Sequence, residues 1–151
     1  MSGSVDLSQN YSFYALPLAW FITNAPGMYG KALGGKNYDI ATPRKFAENV
    51  EKDTKLDKPT KNKIMRCEAA AANGYETLSL FVAAVIAANY AGVPVETINT
   101  LVFTHLASRV AYNLTYIFLQ ENRNFAPLRS LVWMVGVGSW FTLFIKAGNR
   151  L

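Results

Sequence analysis

The sequence predicts an all-α protein, a four-helix bundle embedded in a membrane, and three observations predict it. Four segments, 11–33, 63–90, 95–119 and 127–147, are each apolar over roughly 20 residues or more once their polar end turns are included, which suits a bilayer core of about 30 Å. Charge is not spread along the 151 residues: ten of the fifteen Lys and Arg, and five of the ten acidic residues, fall between Lys31 and Arg66. The mean hydropathy of +0.10 therefore averages a nearly uncharged chain with one polar loop. Breaker residues then punctuate the segments, with Gly34-Gly35-Lys36-Asn37 after the first and Gly92-Val93-Pro94 after the second. Residues 1–151 read as a single domain.

Taken in order, residues 1–10 are polar with one acid and no Lys or Arg, so they lack the basic region of a cleaved signal peptide, and the first apolar segment is expected to remain as an anchor. That segment opens on Tyr11, Phe13 and Tyr14 and contains Pro17 and Pro26. A kink is expected near Pro26, because the ring removes a backbone donor and crowds the preceding turn. The loop 34–62 is charged with mixed sign, broken by Pro43 and Pro59, and a short surface helix within Pro43 to Lys55 is predicted, started by Thr42. The fourth segment is the least apolar in length, its uncharged run extending only from Ser130 to Ile145.

Loop charge sets the orientation. The first loop and the Arg123–Arg129 connection are basic, whereas the N-terminus and the Gly92 turn carry no Lys or Arg, which places both polar loops on the cytoplasmic side. Lys146 and Arg150 fall on the opposite side but are outnumbered. A net charge of +5 concentrated beside a bilayer is matched to anionic lipid headgroups rather than to nucleic acid, for which no motif is present. One cysteine, Cys67, excludes an internal disulfide, and with one histidine, His105, no metal site is expected.

Polar groups inside such segments demand partners. Asn73 and Glu76 lie at or inside the cytoplasmic end of the second segment, where a carboxylate is costly unless paired. Arg66, Asn73 and Glu76, spaced by seven and three, project from nearly one helix face. On the third segment His105, Arg109, Tyr112 and Tyr116 recur at four, three and four, a single stripe that must point into protein, and Glu76 is the expected partner of Arg109. The plain reading is a buried structural ion pair with Asn73 as interhelical glue. The convergence of Arg66, Asn73, Glu76, Arg109, Tyr112, Tyr116, Arg123, Arg129 and Ser130 at one membrane depth points further, to a site for an anionic polar ligand with an apolar wall.

These residues carry a resemblance. Arg66-Cys67 through Asn73-Gly74-Tyr75-Glu76 resembles the arginine, asparagine and glutamate pattern on the second helix of the MAPEG family, the membrane-associated proteins in eicosanoid and glutathione metabolism. Arg109-Val110-Ala111-Tyr112 to Tyr116 resembles its third-helix pattern, and Asn124-Phe125-Ala126-Pro127-Leu128-Arg129-Ser130 the start of the fourth helix in the microsomal prostaglandin E synthase branch. The resemblance implies a homotrimer with intersubunit sites near the cytoplasmic side of an endoplasmic-reticulum membrane, binding glutathione and acting on a lipophilic substrate. Asn73, Glu76, Tyr112 and Tyr116 would hold the peptide, Arg66 and Arg109 would serve its carboxylates, and Arg129 with Ser130, or Arg123, would face the thiol, which an adjacent cation makes more acidic. Ala69 to Ala72 departs from the family, which usually has further basic or histidine side chains there; Lys31 is the expected substitute for one of them. Two other readings therefore stay open: a noncatalytic lipid-binding or scaffold protein, and an isomerase or cyclase of a hydrophobic metabolite that does not use glutathione.

Overall fold

The computed structural model describes residues 8–151, so most of the polar N-terminal stretch, 1–7, lies outside the described residues. Among the described residues every regular element is helical. Five are α-helices: α1 Ser12–Gly34, α2 Phe46–Lys52, α3 Lys58–Tyr90, α4 Val95–Leu114 and α5 Ala126–Gly148. Four are long, and the seven-residue α2 is the extra one, inside the charged loop. Among the described residues, Lys58–Tyr90 and Arg123–Gly148 are the helices both long and apolar enough to cross a membrane by length and composition. The middle of α4 carries His105, Ser108 and Arg109, which lowers its hydropathy.

Boundaries moved where proline and glycine chemistry decides them. α3 begins at Lys58, not Lys63, because Pro59 sits in its first turn, where a missing N–H costs nothing. In the loop a 3₁₀ turn, Pro43–Lys45, leads into α2, so the short helix starts at Phe46 and Thr42 gives no side-chain cap. Phe46, Val50 and Ile64 bury a small core there, with Phe46 lying over Gly34, where a Cβ would come within 2.5 Å of its ring. Asp53 ties the loop: its carboxylate accepts from Asn37 Nδ2 at 2.8 Å and from the Lys55 N–H at 2.8 Å, and the Asn37 bond leads in holding its pKa below the ordinary carboxylate value. Gly35 and Gly92 have φ of 51° and 65°, which only glycine adopts readily at the two turns they form.

α1 packs chiefly on α3 and α4 on α5, with α3 also touching α5. The main core joins Ala15, Ala19, Phe81, Val85, Val102 and Leu143 from all four long helices. Pro26 lies inside an unbroken α1, and the Ile22 carbonyl that it leaves without a helical donor accepts from Asn113 Nδ2 at 2.9 Å. At the opposite end from the charged loop, neutral amides lock the helices: Asn99 accepts from the Tyr11 N–H at 3.0 Å and donates to the Gln9 carbonyl at 2.7 Å, while Asn89 donates to Ser12 Oγ at 3.0 Å.

Candidate functional site

Asn73 of α3, Tyr112 of α4, and Arg129 and Ser130 of α5 meet around one cleft of about 290 Å³, with Trp133 and Met134 as its apolar wall. Pro127 opens α5, so Arg129 and Ser130 fall in the first turns, where unpaired N–H groups add partial positive charge to that of the guanidinium. Behind the cleft the polar residues form a ladder. Arg109 donates from Nη2 to Asn73 Oδ1 at 3.1 Å and its guanidinium covers Tyr112, 4.5 Å from the ring centroid. Tyr112 meets Tyr116 edge-on at 5.7 Å, and Arg129 lies over Tyr116 at 4.6 Å. Cations and aromatic rings thus alternate, an arrangement that removes two guanidinium faces from an apolar surround without a carboxylate.

Tyr116 occupies a π-helical turn, Thr115–Leu119, that continues α4. Such wide turns concentrate at functional sites. Arg66 anchors this one: its Nε donates to the Ile117 carbonyl at 3.1 Å, and its Nη2 lies 3.9 Å from the exposed Glu121.

The ion pair expected between Arg109 and Glu76 is not formed. Among the described residues the ion pairs are Lys52–Glu48 and Arg66–Glu121, and Glu76 is exposed on α3. The reason is angular: Asn73 sits on the flank of α3 that faces α4, and Glu76, 300° further round, projects past it. The α4 stripe does point into the bundle, with His105 3% and Arg109 6% exposed. His105 serves the core, stacked on Phe81 at 4.0 Å and bonded through Nδ1 to the Gly136 carbonyl at 3.1 Å. Cys67 is fully buried.

Arg123 stands exposed in a 3₁₀ turn, Arg123–Phe125, and does not line the cleft. Lys31 lines a different cleft, between α1 and α3. Sequence reasoning missed Trp133 and Met134. The signal was available, since they follow Arg129 and Ser130 by three to five residues and therefore share their helix face, but apolar residues in an apolar run carry no mark of their own.

Fold and cleft together define the class: an all-helical protein, two of whose helices are long and apolar enough to cross a membrane, with a cationic, hydroxyl-lined cleft between its helices. The chain belongs to the MAPEG family, whose model matches residues 13–149. No curated protein and no solved structure matches the chain. Members of this family are integral to membranes, and the family is one of glutathione-related membrane enzymes.

Proposed function

We propose that this protein is a glutathione-dependent transferase, peroxidase or isomerase that acts on a lipophilic substrate in an endoplasmic-reticulum membrane, from a site on the cytoplasmic side of a four-span homotrimer. The observation that carries the reading is the joint placement of Arg129 and Ser130 with Asn73 and Tyr112 around one cleft. The donor set fits glutathione: Ser130, Tyr112 and the free Nδ2 of Asn73 suit peptide groups, and Arg129 suits an anion. When bound, glutathione supplies a nucleophilic thiol. Arg129, held in place by the Tyr116 ring, favours the deprotonated sulfur by Coulomb attraction and keeps it oriented. The cleft is open and at the small end of ligand sites, which agrees with a wall completed by a second copy of the chain. Glu76, exposed on a membrane-type helix, supports the same assembly and would meet the ligand or the neighbour there. Arg66 and Arg109 support the site from behind. The electrophile reaches it from the lipid phase, past Trp133 and Met134.

Purified protein in detergent should be thermally stabilised by millimolar glutathione and should conjugate chlorodinitrobenzene. Arg129→Ala should lower turnover by about a hundredfold with a smaller effect on binding, in line with loss of one electrostatic stabiliser. Arg123→Ala should leave turnover near the wild-type value. Absence of stabilisation by glutathione would remove the reading. That outcome would favour the glutathione-independent isomerase or lipid-binding scaffold, which the alanines at 69–72 favour because they leave fewer cations for two ligand carboxylates.

A further inference from the structure

α3 has a second polar flank. Glu68, Ala71 and Tyr75, spaced by three and four, lie on the side of the helix opposite Asn73 and face α1. There they meet Asn24, Gly27, Met28 and Lys31 around a cleft of about 120 Å³, separate from the Arg129 cleft. Gly27 and Gly30 make room for the carboxylate. A Cβ on Gly30 would lie 3.6 Å from Glu68 Oε1 and 2.9 Å from Cys67 Cβ, and one on Gly27 would lie 3.9 Å from Oε1.

Glu68 Oε1 is buried and has no hydrogen-bond partner among the described residues. Its neighbours are otherwise engaged. Asn24 donates to the Trp20 carbonyl at 2.8 Å and accepts from the Tyr75 hydroxyl. Lys31, a cation of the same cleft, is not in an ion pair with Glu68 among the described residues, and its Nζ sits over the Tyr38 ring at 4.7 Å. A carboxylate in a helix of this kind is costly without a donor. The cleft therefore presents an acceptor that wants N–H groups at its floor, a tyrosine oxygen with a free lone pair on its rim, and an ammonium at its mouth.

We propose that this cleft binds a zwitterion that carries a primary ammonium, with the ammonium on Glu68 and Tyr75 and the attached anion on Lys31. An ethanolamine phospholipid headgroup has this chemistry, and so does a free ethanolamine phosphodiester. A quaternary ammonium does not, because it has no N–H to give Oε1. The proposal stands apart from the glutathione reading and shares no residue with the Arg129 cleft.

The test is retention of lipid by the whole protein. Purified protein is exchanged into detergent micelles holding equal amounts of phosphatidylethanolamine and phosphatidylcholine with matched acyl chains, and retained lipid is counted by native mass spectrometry. Wild type should retain the ethanolamine lipid about tenfold over the choline lipid, the scale of one hydrogen bond to a charged group. Glu68→Gln, which keeps an acceptor oxygen but removes the charge, should lower that preference severalfold. Should Glu68→Gln fail to fold, Gly27→Ala serves instead, since its Cβ meets Ala71 at an ordinary 3.6 Å while taking volume from the cleft, and it too should reduce the preference. Competition with millimolar glycerophosphoethanolamine separates the sources: displacement assigns the site to the free headgroup chemistry, and persistence assigns it to the membrane lipid. Equal retention of the two lipids by wild type, or an unchanged preference in a folded Glu68→Gln, overturns the proposal.

Discussion

Arg109 and Arg66 look equivalent as letters, each a cation on the charged-loop half of a long helix, yet they hold different things. Arg109 is buried, fixes Asn73 Oδ1 and covers Tyr112, so it aims two residues of the cleft. Arg66 holds the backbone of the π-helical turn at Ile117. A lysine is a point charge without the planar fork, and it keeps neither the stacked geometry nor the directed bond. Arg109→Lys should therefore shrink the glutathione-induced rise in melting temperature, whereas Arg66→Lys should lower the melting temperature of the free protein and leave that rise near the wild-type size. Equal effects of the two substitutions on the rise would contradict the division. The sequence made the polar members of this cleft legible because each is a polar side chain where lipid or core should be, whereas Trp133 and Met134 blend into an apolar run. It did not make their partners legible. Periodicity fixes a face to within tens of degrees, and Asn73 and Glu76, three apart, differ by enough that one reaches Arg109 and the other faces outward. Glu68 stayed hidden for a related reason: attention to the Arg66 and Asn73 flank says nothing of the flank opposite.

Among elements, α1 illustrates how a helix tolerates a proline within a bundle. Pro26 leaves the Ile22 carbonyl without its helical donor, and Asn113 of α4 supplies one. The asparagine thus belongs to the repair of a different helix, a link that neither segment's sequence reveals. Asn113→Leu should destabilise the protein by about 1 kcal/mol, as for a typical net hydrogen bond or one between membrane helices. In a Pro26→Ala background the helix recovers its own donor, so the same Asn113→Leu change should then cost markedly less. A double-mutant cycle of denaturant or thermal unfolding reads the coupling directly, and additive effects would show that Asn113 acts elsewhere. The same reasoning explains which element boundaries were legible. Glycine and proline turns marked the ends of α1 and α3, while the start of α3 was not legible as such, because a proline reads equally as a loop breaker and as a first-turn residue.

For the whole molecule, the decisive feature is a surface that one protomer leaves uncovered. On α3, Ala72, Glu76, Ser79 and Ala83 recur at four, three and four and are all exposed. An ionisable carboxylate facing hydrocarbon is disfavoured, and the alanines and serine around it permit close approach of another helix. Those two facts fit a face that meets copies of itself, and they accord with the homotrimer proposed above. Light scattering of the detergent-solubilised protein should then give a protein mass of three times 16.7 kDa. Ala83→Trp, which places bulk in the stripe, should shift that mass toward a single protomer, while Val110→Trp, exposed on α4 away from the stripe, should leave it unchanged. Asn73 of the Arg129 cleft lies beside this face on α3, so a dissociated Ala83→Trp protein should also lose its stabilisation by glutathione even though every cleft residue of the protomer is present. A wild-type particle with the mass of one protomer would refute the assembly, and a dissociated variant that still responds fully to glutathione would show that one chain builds the whole site.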